Sequence, residues 1–230
     1  MGEAMKRLIL TSSGGACLEK TGRADVTVFF MFRFAWGELP TPQKLASFLA
    51  ARTDQGQSDH WSDYVLRRIR DSRALSLIEF CKLYDEVELW FDPTPTDQFE
   101  LIWLLDFFSS CPDVVSRLKL RLLDVDFIGA EDAFLAKGNI PTAPVTAAVL
   151  ETASLSWQAY RSATPEACFD LLKRDLSALP LLRPALADLL KEHPGPTGLG
   201  TAVAGARWSG IQTPECVVLP SGAAPYACVR

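Results

Sequence analysis

The chain has 230 residues, of which 48% are hydrophobic and 22% are charged, and its formal net charge is −5. This composition is typical of a globular protein and argues against intrinsic disorder. The negative balance argues against a broad nucleic-acid-binding face, because phosphate contacts need clustered lysine and arginine. The one dense basic run, Arg67-Arg68-Ile69-Arg70, is interpreted as a solvated helix face.

Nothing in the sequence indicates export, a membrane span or a metal centre. No apolar run reaches the roughly 18 residues of a membrane helix, and the apolar stretch within residues 1–10 is too short for a secretory signal. The 6 cysteines are scattered without a Cys-x-x-Cys pair, and there are only 2 histidines. We therefore expect reduced thiols, no metal site and a cytoplasmic location.

Strand and helix patterns alternate from the beginning of the chain. Residues 6–10 predict a strand that ends in the turn Ser12-Ser13-Gly14-Gly15, and a short helix is expected to follow. Residues 26–34 are β-branched and aromatic, which predicts a second, buried strand. Thr41 is expected to cap a helix, since Pro42 suits the first helical position.

The alternation continues to about residue 128. Residues 59–69 predict a longer helix, and residues 75–83 a further helical stretch before a strand at 86–91. Prolines 93 and 95 are expected to exclude residues 92–96 from both neighbouring elements. The next helix is therefore expected to begin at Asp97, and its almost wholly apolar body predicts that Phe99, Leu105 and Phe108 are buried. Residues 118–127 predict a fourth strand.

These patterns predict an α/β protein with a mainly parallel sheet flanked by helices, followed by a helical C-terminal part and an irregular tail. We assign residues 1–138 to the α/β domain and residues 139–200 to the helical region, and the two can pack as one body. Residues 201–230 are rich in glycine and proline and show no helical or strand period. Ordinary divergence and a shifted reading frame both account for such a tail.

Deleting residues 201–230 is expected to change the melting temperature by no more than about 2–4 °C. This range corresponds to a loss of about 1 kcal/mol in a domain of this size. Glycine and proline raise the entropy lost on ordering while offering few periodic apolar contacts. Thermal denaturation of the truncated chain checks this, and insoluble protein or a much larger drop would show that the tail completes the core.

Several stretches resemble the bacterial family known as domain of unknown function 1835, which is often joined to a helical C-terminal module. The resemblance lies in Val87-Glu88-Leu89-Trp90-Phe91-Asp92, Asp97-Gln98-Phe99 and Leu104-Leu105-Asp106-Phe107-Phe108, with support from Ser12-Ser13-Gly14-Gly15-Ala16 and residues 157–161 and 176–192. It covers most of the chain to about Gly200 and implies the same α/β and helical organisation.

The chain also departs from the family pattern. The family's first turn usually carries an Asp, its second strand leads into a His-containing stretch, and Glu-His-Asp follows its third strand. Here Gly14 follows Ser13, residues 32–38 after the second strand contain no histidine, and Asp92-Pro93-Thr94 follows the third. If the family's polar residues form a catalytic or metal-binding group, this chain has kept little of it.

Polar residues near the expected strand ends are the candidate ligand-binding residues. The first turn offers N–H groups and hydroxyls to an anion, and Asp92 and Asp97 flank a strand end, where ligands of open α/β sheets bind. The alternatives are a plain tight turn, a turn-forming role for Asp92, an N-cap role for Asp97 and a core position for Trp36. The full set is Ser12, Ser13, Gly14, Arg33, Trp36, Glu38, Asp92, Asp97 and Gln98.

Two functions agree with this pattern. The first is a non-enzymatic binding or regulatory protein for a small molecule or a partner chain, since the sequence contains no convincing nucleophile: Cys17 has no histidine near it. The second is a hydrolase or transferase for a phosphorylated or nucleotide-like substrate, using Ser12, Ser13, Asp92 and Asp97. Convergence of the first turn with Asp92 within one pocket would favour the second, and hydrophobic side chains filling the gap would favour the first. No cofactor or catalytic residue is assigned.

Overall fold

A computed structural model describes residues 5–30, 32, 34–35, 38–52, 59–66, 72–122 and 140–191. One five-stranded sheet has the order β2-β1-β3-β4-β5. The strands are β1 (Arg7–Thr11), β2 (Val26–Phe29), β3 (Glu86–Trp90), β4 (Leu118–Arg121) and β5 (Thr142–Pro144). Strands β1 to β4 are parallel and β5 is antiparallel to β4, which confirms the predicted α/β fold with a mainly parallel sheet.

Helices surround this sheet. In chain order the described helices are α1 (Gly15–Lys20), α2 (Pro42–Leu49), α3 (Leu77–Cys81), α4 (Pro95–Phe108), α5 (Pro112–Val115), α6 (Ala147–Tyr160), α7 (Glu166–Leu171) and α8 (Leu182–Lys191). As predicted, the Thr41 side chain caps α2, where it accepts a hydrogen bond from Lys44 N, and Leu45 is among the buried residues of this helix. Within the described ranges, no helix combines the length and apolar content that crossing a bilayer requires.

The predicted helix over residues 59–69 is wrong in its described part. Only a 3-10 turn forms at Trp61–Tyr64, and the His60 side chain caps it by accepting a hydrogen bond from Ser62 N. The chain then extends at Val65, which forms an antiparallel bridge with Val28 of β2. A β-branched residue suits this extended conformation better than it suits a helix.

The two faces of the sheet contact two separate cores, because neighbouring side chains on a strand point to opposite faces. Leu8 and Leu10 of β1 belong to the larger core, together with α4, α6 and α8. Ile9 and Trp90 point to the other face, where they pack with Leu18 of α1 and Ile140. Both cores thus contain residues from before and after the predicted domain boundary. Residue 138, where that boundary was placed, lies outside the described residues.

A buried ion pair lies on the face of the smaller core. Glu88 of β3 is 2% exposed, and Arg121 of β4 donates two hydrogen bonds to its carboxylate, from Nε (2.9 Å) and from Nη2. Trp90 Nε1 donates a third at 2.6 Å. Burial alone would raise the pKa of Glu88, but the hydrogen bonds from Arg121 and Trp90 outweigh it and hold this pKa below its ordinary value.

The described helices of the C-terminal region agree with the sequence. Thr146 caps α6, α7 begins at Glu166 and α8 spans Leu182–Lys191. Strand β5 was not predicted, since three residues that end in a proline give no strand pattern. Strand β2 ends at Phe29, so its predicted continuation to residue 34 is wrong at the described residues Phe30, Phe32 and Phe34, of which the last two pack against Trp103 instead. The predicted extension of β4 past Leu122 and the tail at 201–230 lie outside the described residues.

Candidate functional site

The strand order places the carboxyl ends of β1 and β3 next to each other. The chain runs from β1 to β2 on one side, and it then crosses to β3 on the other side of β1. The direction of winding therefore reverses between β1 and β3. In open α/β sheets, ligands bind outside the carboxyl ends of the strands at such a reversal. We call this place, with Ser12, Ser13, Asp92, Asp97 and Glu100, the β1–β3 crevice.

Serine hydroxyls and carboxylates meet directly in the crevice. Ser13 Oγ donates a hydrogen bond to Asp92 Oδ2 at 2.7 Å, and Ser12 Oγ donates one to Asp97 Oδ1. The two serines are half-buried, whereas Asp92 and Asp97 are 1% and 6% exposed. The crevice thus presents hydroxyls on its outer side and negative charge behind them. The first turn and Asp92 thus converge through direct hydrogen bonds, a geometry that either hypothesis can use.

The backbone of the first turn explains its two glycines. Gly14 precedes α1 with a φ of 60°, in the left-handed region that favours glycine. At Gly15 a Cβ atom would lie 2.8 Å from Phe29 Cβ, so the close approach of α1 to β2 requires glycine. Thr11 Oγ fixes the turn further, donating to Ser13 O at 2.6 Å. Gly14 and Gly15 are therefore explained by conformation, and Ser12 and Ser13 provide the functional groups.

The start of α4 corrects the prediction for Asp97. The helix begins at Pro95, because a proline at the first helical position gives up no hydrogen bond, and Thr94 is the N-cap. Asp97 is the third helical residue, where its N–H donates to Thr94 Oγ at 3.3 Å while Thr94 Oγ–H donates to Asp97 Oδ2 at 2.5 Å. The predicted N-cap role is therefore wrong, and the carboxylate instead connects α4 to the first turn.

The other predicted site residues fall into three groups. Gln98 is buried next to the crevice, and its Nε2 donates to Asp92 O at 2.7 Å, which fixes the end of β3. Glu38 is exposed before α2, and no described contact joins it to the crevice. Arg33 and Trp36 lie outside the described residues.

Glu100 is a site residue that the sequence did not predict. It is 1% exposed on α4, and within the described structure neither carboxyl oxygen has a hydrogen-bond partner. Burial, and next the negative charge of Asp97 one helical turn earlier, raise the pKa of Glu100 well above its ordinary value. The available signal was an acidic residue in a mostly apolar helix that was itself predicted to be buried, because acidic residues are rarely buried without a partner.

Replacing Glu100 by methionine is expected to stabilise the protein by about 1–3 kcal/mol at pH 8, because the change removes a buried polar group that has no partner. The unfolded carboxyl ionises near pH 4.3, while the folded one keeps its proton to a higher pH. Stability of the unmodified protein therefore falls, relative to Glu100→Met, as the pH rises from about 4.

Urea denaturation at pH 4 and pH 8 measures this difference. Glu151→Met, at an exposed position of α6, serves as the control and is expected to change stability by no more than about 0.5 kcal/mol. A Glu100→Met protein that is less stable at pH 8 would contradict the prediction.

The crevice offers oxygen ligands only. Ser12, Ser13, Asp92, Asp97 and Glu100 supply hydroxyl and carboxyl groups. Within the described ranges, no three His, Cys, Asp or Glu side chains lie close enough together to hold a metal ion. The carboxyl groups of the crevice can accept hydrogen bonds from a ligand, while the serine hydroxyls can both donate and accept them.

Comparisons with known proteins leave the family of this chain open. No known family, curated protein or solved structure matches it significantly. The resemblance to domain of unknown function 1835 stays a prediction.

Proposed function

We propose that this chain is a cytoplasmic binding protein for a small polar molecule, with the ligand held in the β1–β3 crevice. The observation that carries the proposal is the pairing of Ser12 with Asp97 and of Ser13 with Asp92 at the reversal of strand order. These pairs bring hydroxyl and carboxylate groups from three elements to one place. The half-buried serines lie on the side from which a ligand can enter.

The location and origin belong to the same proposal. Cys81 and Cys111 carry free thiols, as expected in the reducing cytosol. The resemblance to domain of unknown function 1835 supports a bacterial source. Both statements are independent of which ligand occupies the crevice.

A thermal-shift screen with nucleotides, phosphosugars and divalent metals tests the binding function, since a ligand that binds only the folded state raises the melting temperature. A ligand at about ten times its dissociation constant is expected to raise it by roughly 3–6 °C. Ser13→Ala and Asp92→Asn are expected to reduce this shift, because they remove the hydroxyl and the charge of one pair.

Asp188→Asn is the matched control, because it also removes one carboxylate but lies exposed on α8, away from the crevice. It is expected to leave the ligand response unchanged. Ligands whose shifts are the same in all these variants would place the binding site elsewhere.

The second candidate is a hydrolase or transferase acting on a phosphorylated or nucleotide-like substrate. The observation in its favour is that each serine hydroxyl already donates to a carboxylate, which is the contact that a nucleophile makes with its general base. Release of phosphate or group transfer that is lost in Ser13→Ala or Asp92→Asn would establish this candidate. Binding without turnover would favour the binding protein.

A further inference from the structure

Glu100 differs from the other acidic residues of the crevice in having no partner. Asp92 and Asp97 accept hydrogen bonds from serine hydroxyls. Glu100 accepts none, although both of its carboxyl oxygens are buried. Among the described residues, no lysine or arginine forms an ion pair with it. A buried carboxyl group without a partner destabilises the fold, so packing alone gives no reason for its presence.

The surroundings of Glu100 are acidic on one side and aromatic on the other. Asp97 lies one turn earlier on α4, close enough for its charge to raise the pKa of Glu100. Trp103 lies one turn later, and its ring packs against those of Phe32 (4.9 Å between centroids) and Phe34 (5.4 Å). Tyr64 also lies within electrostatic range, since the charge of Glu100 contributes, after burial and two aspartates, to raising its pKa.

A positively charged group between Asp97 and Glu100 would offset the repulsion between them and give the buried Glu100 carboxyl a partner. An anion would be repelled by the two carboxylates. A divalent metal ion needs several oxygen ligands, and no group of three such side chains is present among the described residues. An ammonium group has three donors for carboxyl oxygens and is compatible with nearby aromatic rings.

We propose that the β1–β3 crevice binds a molecule that carries a protonated primary amine, and that this amine lies between Asp97 and Glu100. The inference rests on the proposed function and adds the chemical class of the ligand. Ser12, which donates to Asp97, supplies a half-buried hydroxyl next to this position. Glu100 is then a residue that determines specificity, because it distinguishes an amine from the corresponding alcohol.

Thermal shift of the full chain with pairs of small probes tests this. The pairs are ethanolamine with ethylene glycol and putrescine with butanediol, at matched ionic strength, with MgCl₂ measured separately. In the unmodified protein each amine is expected to raise the melting temperature by roughly 3 °C or more above its alcohol, at about ten times the dissociation constant. Glu100→Gln keeps the shape of the side chain and is expected to abolish this difference.

Glu151→Gln provides the control, since it removes the same charge from an exposed position on α6 and is expected to keep the amine effect. The inference is overturned if amines and alcohols act alike, if the amine effect persists in Glu100→Gln, or if only MgCl₂ gives a shift that depends on Glu100. A neutral ligand whose shift depends on Ser13 and Asp92, without any preference for amines, would overturn this inference and leave the proposed function intact.

Discussion

Replacing Arg121 by alanine is expected to destabilise the protein by about 3–5 kcal/mol. The guanidinium donates two hydrogen bonds to the buried Glu88 carboxylate and a third, at 3.0 Å, to Ile140 O. Its removal leaves the buried Glu88 carboxylate without the guanidinium that balances its charge, although Trp90 Nε1 still donates to it. Urea denaturation at pH 7 measures the loss. The arginine also lies 5.4 Å from the Trp90 ring centroid, so a cation–π contact disappears as well.

The pH dependence identifies the cause of this loss. The pKa of Glu88 is lowered in the folded protein, so the ion pair stabilises fully above about pH 4.3 and loses its effect as the pH falls through the folded pKa. The deficit of Arg121→Ala is therefore expected to shrink at low pH, where Glu88 takes up a proton.

Two further variants serve as controls for the buried ion pair. Lys173→Ala breaks an exposed ion pair with Asp170, which water screens, and is expected to change stability far less than Arg121→Ala. A double variant, Glu88→Met with Arg121→Met, is expected to recover most of the stability, because apolar residues can replace a buried ion pair. A loss for Arg121→Ala as small as that for Lys173→Ala would contradict the prediction.

Phe99→Ala is the second substitution with a large expected effect, a loss of about 3–5 kcal/mol. The Phe99 ring is 1% exposed and stacks on Tyr160 of α6 with a centroid distance of 3.9 Å and an angle of 3° between the rings. Tyr160 in turn donates a hydrogen bond to Phe34 O at 2.5 Å. The substitution therefore opens a cavity where three segments of the chain meet.

Chemical denaturation measures this loss as well. Phe169→Ala removes the same side chain from a position on α7 that is 46% exposed, and it is expected to change stability far less. Phe108→Ala, at a fully buried position of α4, is expected to resemble Phe99→Ala. A loss below about 1 kcal/mol for Phe99→Ala would show that α4 does not pack in the core as described.

The sequence predicted the elements whose signals are local. Thr41 and Pro42 marked the start of α2, and the alternating residues of β3 marked a strand. The 3-10 turn at Trp61–Tyr64 was missed because its aromatic spacing imitates a helix, while pairing with Val28 of β2 extends the chain after it. Strand β5 exists only because β4 lies beside it, and such tertiary pairing leaves no local pattern.

The candidate site was predictable in composition and not in geometry. The rule that parallel strands end at one edge placed Ser12, Ser13, Asp92 and Asp97 together. Which serine contacts which aspartate depends on the start of α4, where the sequence placed the helix two residues too late. Glu100 could not be predicted as a site residue, because its burial without a partner follows from the tertiary structure and not from its neighbours in the sequence.

Both edges of the sheet have features that discourage another chain from adding a strand. On the β2 side, residues 65 and 66 occupy the free edge: Val65 bridges to Val28, and Leu66 N donates to Thr27 O at 3.1 Å. On the other side, β5 has only three residues, and Pro144 has no N–H to offer. Exposed edges of long, regular strands are templates for aggregation, and short or proline-containing edges are not. A molecule rich in apolar residues is thus protected from edge-to-edge association by two segments that contribute little to its core.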